Sequence, residues 1–360
     1  MPEDTAPELA EKAALLASRG EEQQAIARRL GVSPATVSRL IEKAVSKGYL
    51  RRSFPELLLT NERKRLVTRE LEGRDDLFSR LGVLSDGTLK GLSVEPDEAS
   101  VHSAGARFLL EEVLSFARVI GVTWGRNIEN FVDWVENINL KRPAVNRQNI
   151  DFVQVCGDPP GAIANPAQRS STLVAKLNRT INGSDSAPYT FSMSASIPAK
   201  FDQATVPTIR DFIQEVGGYS KIFETTQRLK IHVDVLLTSC GSGQIGLDRW
   251  LSECAAVAGV PEVELAALTS GNIGGYWLER TGLTRLELKK LARVNASWNG
   301  IVKEDIADIA SRGSVILLAA EGGKADIILE LVRRHLVTHL FLSAILADQL
   351  STILATRKMD

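Results

Sequence analysis

The chain has little of what would tie it to metal or redox chemistry. Its 360 residues hold three cysteines (Cys156, Cys240, Cys254) and four histidines (His102, His232, His335, His339), with no CxxC pair. Ligands so sparse argue against a disulfide framework or a structural zinc site, and for a reducing, cytoplasmic setting. No GxSxG elbow and no GxxxxGK[ST] loop occurs, so neither a serine hydrolase nor a P-loop nucleotide enzyme is indicated. No basic segment leading into an apolar run opens the chain, which speaks against a signal peptide. The most apolar stretch, residues 336–355, contains Asp348 and Gln349 and reads as a buried strand and helix, not a membrane span.

What is present is ordinary for a folded protein. A hydrophobic fraction of 44% with 24% charged residues excludes a disordered or collagenous chain, and the length suggests about two domains. The net charge of −1 conceals an uneven distribution. From Arg28 to Arg52 there are seven basic residues and a single acid, Glu42. A local positive block on a small helical unit is the footprint expected of a surface that meets phosphate.

The pattern around that block sharpens the reading. Leu9, Ala13 and Leu16 suit a first helix over 7–18, and Ala25, Ile26 and Leu30 a second over 21–30. Gly31 suits a left-handed helix end; Ser33 is a good N-cap, and Pro34 fits the first helical position. In a third helix from Pro34 to about Ser46, Val37, Leu40, Ile41 and Ala44 make one apolar face. Its other face presents Ala35, Thr36, Ser38, Arg39 and Lys43. This is a helix-turn-helix pattern with a small, polar, basic outer face suited to a major groove. Arg39 is long enough for a guanine edge, and Ser33, Thr36 and Ser38 can meet bases or phosphates. Arg28, Arg29, Lys47, Arg51 and Arg52 are placed nearer the backbone, supplying salt-dependent affinity without sequence information.

Phe54-Pro55 and Thr60-Asn61 interrupt the pattern, placing a boundary near residue 57: a DNA-binding domain over 1–57 and an effector domain over 58–360. A charged helical connector is expected over 62–81 and a loop over 82–95. Beyond it, β-rich runs (119–123, 152–156, 189–193, 232–239, 315–319, 336–342) alternate with helical segments (97–117, 128–138, 167–177, 211–228, 249–256, 286–292, 325–334). Such alternation predicts an α/β, Rossmann-like domain with a mostly parallel sheet covered on both faces.

Ligands of such folds bind where strands end. Four strand ends carry glycine corners: Trp124-Gly125-Arg126-Asn127 after Thr123, Gly157 to Gly161, Gly241-Ser242-Gly243-Gln244, and Glu321-Gly322-Gly323-Lys324. Glycine lets backbone N–H groups face a ligand, and a following helix N-terminus favours an anion. Lys324 at such a terminus opposes the helix dipole by ~0.3–1 kcal/mol, which a bound phosphate ester between the two would relieve. Gly241 to Gly246 also spells GxGxxG, with Glu262 and Glu264 downstream, but Pro261 precedes the acids where a strand is needed, and nicotinamide binding ranks low.

Taken together, these motifs resemble the SorC family of sugar-binding bacterial transcription regulators, which includes the deoxyribonucleoside regulator and the central glycolytic gene regulator. The resemblance rests on Gly31 to Leu40, Gly121 to Arg126, Gly241-Ser242-Gly243 and Ala319 to Lys324, in that order. It implies a sugar-phosphate isomerase-like effector domain, a phosphorylated sugar or polyol as ligand, operator DNA as partner, and assembly as dimers or tetramers. The residues themselves supply no convincing acid–base pair, so no enzyme activity is expected, and no cofactor, metal or membrane segment either. Several positions depart from the family. Leu342-Ser343-Ala344 replaces Thr-Asp-Glu, Gly271-Asn272 replaces Gly-Asp, and Asn127 replaces threonine. On the sequence alone, two acidic groups that commonly accept from sugar hydroxyls are missing. The lower-ranked readings are a sugar-phosphate isomerase or deaminase fused to a helix-turn-helix, and a nicotinamide-sensing regulator.

Overall fold

The computed structural model describes residues 8–18, 21–47, 49–51, 56–57, 61–139, 150–159, 165–197, 205–215, 218–224 and 228–356. Three helices form the head: α1 (Leu9–Ser18), α2 (Gln23–Leu30) and α3 (Pro34–Ser46). Their apolar faces bury Ala13, Leu15, Leu16, Ile26, Leu30 and Val37 in one small core. The turn is built as the residue types require. Gly31 takes φ 65° and ψ 37°, its N–H donating to the carbonyls of Ala27 and Arg28, and the Ser33 hydroxyl accepts from the N–H of Thr36. Two short antiparallel strands, β1 (Leu50–Arg51) and β2 (Glu56–Leu57), follow as a wing, with Leu50 opposite Leu57. Strands of two residues carry no periodicity, so the pattern around Phe54-Pro55 read only as an interruption.

The connector α4 spans Asn61–Leu84, longer than expected, and buries Leu77 and Leu81 against the body. The loop expected over 82–95 is corrected: the chain turns at Asp86 (φ 47°) and Gly87 (φ 76°), then forms β3 (Gly91–Glu95). As a half-exposed edge strand, β3 lacks the continuous apolar run that marks its buried neighbours. The body continues through α5 (Glu98–Glu111), β4 (Val119–Val122), α6 (Arg126–Asn139), β5 (Asp151–Gln154), α7 (Ser170–Leu177), α8 (Thr205–Glu215), α9 (Tyr219–Ile222) and β6 (Val235–Thr238). A compact insertion holds β7 (Cys240–Gly241), α10 (Arg249–Ala258), α11 (Glu262–Leu268), β8 (Thr269–Ile273), β9 (Tyr276–Glu279) and α12 (Arg285–Ala296). Then come α13 (Lys303–Arg312), β10 (Ser314–Ala319), α14 (Ala325–Arg333), β11 (His339–Ser343) and α15 (Ala344–Thr356).

Six strands pair in parallel in the order β3-β11-β10-β6-β4-β5. Both faces are covered, as the alternation along β10 shows. Val315 and Leu317 point into the core shared with α13, α14 and α15, and Ile316 and Leu318 into that of α5, α6 and α7. The insertion adds an antiparallel sheet, β7-β8-β9.

Two further expectations are corrected. Residues 189–193 form no strand but run beside β5, where the Tyr189 carbonyl accepts from Gln154 N–H and Phe191 N–H donates to the Gln154 side chain. The helix expected over 211–228 is two, α8 and α9, with Gly218 at φ 98° between them. His335 and His339, four apart in sequence, share no helix face: His335 lies in the turn after α14 and His339 opens β11. Among the described residues, no helix is long and apolar enough to cross a membrane, and no group of three or more His, Cys, Asp or Glu side chains could hold a metal ion.

Candidate functional site

The strand order places one pocket. From β4 the chain crosses to β5 on one side, and then returns to β6 on the other, so the crossovers diverge between β4 and β6. Carboxyl ends of parallel strands open into a crevice at such a reversal. There the protein has a pocket of about 390 Å³. The corner after β4 supplies Trp124, Gly125, Arg126 and Asn127; the segment after β6 supplies Ser239 to Ser242; the corner after β10 supplies Glu321 and Lys324. The insertion closes the far side with Leu247, Asp248, Arg249, Trp250 and Asn272.

Of the expected ligand residues, Gly125, Arg126, Asn127, Gly241, Ser242, Asn272 and Lys324 meet at this pocket. Thr123, Gly157, Gly243, Gln244, Gly322 and Gly323 lie outside its lining. Thr123 is buried beneath it with its hydroxyl 3.3 Å from that of Thr238, and Gly157 is pressed against the Ser194 backbone. Gln244 ties two loops together, its Nε2 donating to the Gly323 carbonyl at 3.2 Å.

Lys324 is 8% exposed and caps the N-terminus of α14, while Arg126 opens α6. Burial pushes the Lys324 ammonium below its ordinary range. The Glu321 carboxylate bridges both cations, one oxygen toward Arg126 and the other toward Lys324. Across the pocket, Asp248 Oδ2 accepts from Gly243 N–H at 3.0 Å and from Asn272 Nδ2 at 3.1 Å, and burial raises its pKa. A β-carbon at Gly241 would collide with both Asp248 and Asn272, so only glycine lets this corner close. Two acids do line the pocket, Asp248 and Glu321, at positions other than Asn272 and Ser343. Ser343 itself is buried outside the pocket, its hydroxyl donating to the Ala320 carbonyl at 2.7 Å.

Trp124 and Trp250 pack edge to face at 5.4 Å on one wall. The Trp250 N–H donates to the Gly275 carbonyl at 2.8 Å, whereas the Trp124 Nε1 is buried with no partner. Aromatic faces with convergent polar groups suit a ring or chain carrying both C–H and hydroxyl faces. Cys240 lies in the same wall, and burial pushes its thiol up to about 11, leaving it protonated and unreactive. Asp248, Arg249 and Trp250 escaped the sequence reading because nothing local marks them, and Glu321, though part of a recognised glycine corner, was not expected to line the site. The GxGxxG run is no dinucleotide turn: Gly241 sits in an antiparallel strand, the next helix begins only at Arg249, and Glu262 and Glu264 lie on α11.

On the head, Ala35, Arg39 and Lys43 are exposed along α3, Arg28 is exposed on α2, and Ser33, Thr36 and Ser38 are half-buried. Arg52 lies outside the described residues, and Arg51 is described only by its place in β1. Tertiary neighbours answer several of the positive charges. Glu8 pairs with Lys47 at 2.7 Å and Lys43 at 3.5 Å, Glu21 with Arg29 at 2.7 Å, and Asp75 of α4 also with Arg29. Thr36 Oγ1 donates to Glu111 of α5 at 3.2 Å, with Arg39 3.9 Å from the same carboxylate.

Comparison with known proteins agrees with both halves. Residues 13–51 match the winged helix-turn-helix DNA-binding family. Over 227 residues the chain is 26% identical to a sorbitol operon regulator of Klebsiella pneumoniae, a match spanning 62% of each protein. The crystal structure of the full-length sorbitol operon regulator SorC from that organism superposes with a TM-score of 0.58 at 19% identity, over 95% of this chain and 97% of the other. The fold is the SorC-type regulator fold. A putative sugar-binding domain of a transcriptional repressor from Vibrio fischeri has the same SorC-type body, with a TM-score of 0.54 at 17% identity over 79% of this chain and all of its own. These matched proteins are named as regulators of transcription.

Proposed function

We propose that the chain is a DNA-binding transcription regulator of a carbohydrate catabolic operon, acting in the cytoplasm and controlled by a phosphorylated sugar or polyol. Residues 1–57 form the DNA-binding head and 58–360 the effector-binding body. The head reads operator DNA through Ser33, Ala35, Thr36, Ser38, Arg39 and Lys43, with Arg28, Arg29, Arg51 and Arg52 toward phosphates. A homo-oligomer presents two such heads to half-sites spaced by a helical turn or its multiples.

The observation that carries the effector reading is the placement of Lys324 and Arg126. Two cations, one buried, sit at two helix N-termini that converge on one pocket at the sheet's reversal point. Cations there oppose both dipoles and are stabilised by an acidic group between them. Tryptophan faces, Asp248 and Asn272 provide contacts of the kinds that hydroxylated carbon needs. Ligand binding then shifts the population between DNA-competent and incompetent arrangements, which requires different affinities for the two. The test is a thermal-shift screen of the full chain against phosphorylated sugars and polyols, since a native-state ligand raises the melting temperature. A phosphorylated sugar that stabilises the wild type and not Lys324→Gln supports the reading; no stabilisation by any of them defeats it.

A further inference from the structure

Glu321 stands where the acidic group of an effector is expected. Its two oxygens reach Arg126 and Lys324, which come from the corners after β4 and β10. Removing a carboxylate from between them would leave Lys324, 8% exposed, at a helix N-terminus without a direct ion pair, facing the more distant charges of Asp248 and Glu98. The side chain that fills this seat is nonetheless free to leave it. Glu321 is 29% exposed and is followed by Gly322 and Gly323 in the turn that leads into α14. That turn is pinned on both sides: Gly323 N–H donates to Gln349 at 3.2 Å, and its carbonyl accepts from Gln244 at 3.2 Å. Rotation of the Glu321 side chain into solvent would empty the seat while leaving these backbone contacts of Gly323 in place.

We infer that Glu321 is a displaceable internal counter-anion, occupying the acid seat of the ligand-free pocket and yielding it only to a more strongly bound anion. The inference rests on the proposed reading of this pocket as the effector site. It deepens that reading by naming the rule of selection. Binding exchanges one anion for another, so the net gain is the difference between their contacts to Arg126 and Lys324. A phosphate ester, with nearly two charges and three acceptor oxygens, wins that exchange. A single carboxylate gains nothing, and an uncharged sugar leaves the latch shut. The site thereby discriminates a phosphorylated compound from its unphosphorylated parent.

Calorimetric titration of the full chain tests this with three probes: inorganic phosphate, a panel of hexose and hexitol phosphates, and the unphosphorylated parents. Glu321→Gln and Glu321→Ala both free the cations, and agreement between them separates lost charge from a local packing defect. The expected result is a gain of about tenfold or more for phosphate and for phosphorylated ligands, the worth of one charge-assisted hydrogen bond, and no gain for the parents. Lys324→Gln loses phosphate binding. If the wild type binds a phosphorylated ligand and neither Glu321 variant binds it more tightly, the latch is overturned while the effector reading stands. If the variants instead lose affinity for unphosphorylated sugar, Glu321 is a hydroxyl acceptor and the latch is equally overturned. Should no phosphorylated compound bind wild type or variants, the effector reading itself falls.

Discussion

His102 on α5 donates from Nε2 to Oδ1 of Asn127 in the first turn of α6, 3.0 Å away, and both side chains are buried. Burial holds the imidazole below its ordinary pKa, in the neutral form. Asn127 lines the pocket, and α5 carries Glu111 at its other end against the head. The bond thus joins the pocket wall to the helix that touches α3.

The first prediction follows from that bond. His102→Ala strands the Asn127 carbonyl and costs about 1–3 kcal/mol of stability, read by denaturant titration. It also reduces the change in DNA affinity that a ligand produces, measured by fluorescence anisotropy with and without effector. A full ligand response in the variant would show that α5 carries no coupling.

Glu111 holds Thr36 and Arg39, two residues proposed to meet DNA. Glu111→Gln should tighten binding to an operator fragment by about threefold to tenfold at low salt, with the advantage shrinking as salt rises through screening. Unchanged affinity at low salt would remove the contact from the account of DNA binding.

Arg39 is proposed to read bases and Arg28 to contact phosphate. Arg39→Ala is expected to lose ~1–3 kcal/mol on the operator and less on random duplex. Arg28→Ala should weaken both equally and flatten the salt slope by about one. Equal losses on both duplexes for both variants would contradict the assignment of α3 as the reading helix.

Burial, with Lys90 adding, pushes His339 down to about 4. An unfolded histidine titrates near ~6.5, so between those values the unfolded chain binds more protons than the folded one. The contribution of His339 is therefore complete above about pH 6.5 and is lost as pH falls toward 4, with roughly 3 kcal/mol as an upper bound. His339→Gln should show a shallower fall in melting temperature from pH 7 to about 4.5 than wild type. Parallel curves would mean the ring titrates normally.

Much of the head was legible because its determinants are neighbours in sequence. The Gly31 turn, the Ser33 cap and the apolar face of α3 each need only a few adjacent residues to declare themselves. The wing was not, since β1 and β2 are two residues long and their pairing joins residues five to seven positions apart. In the body, the buried strands β4, β6 and β10 announced themselves as apolar runs, while β3, half exposed at the sheet edge, did not. Glycine corners flagged the loops after β4, β6 and β10, but they flagged Gly157 equally, and that corner packs against Ser194 away from the pocket.

Residue order alone determined the local elements, their caps and the positive block, because backbone hydrogen bonding and steric preference act over a few residues. Only the folded sheet decided which corners face one another. The reversal between β4 and β6 brings Arg126, Asp248 and Lys324 to a single pocket, and packing delivers Glu8, Asp75 and Glu111 to the basic head. Charges far apart in the chain interact through space, so neutralisation and the building of a site wait on strand order and crossover, which no short segment encodes.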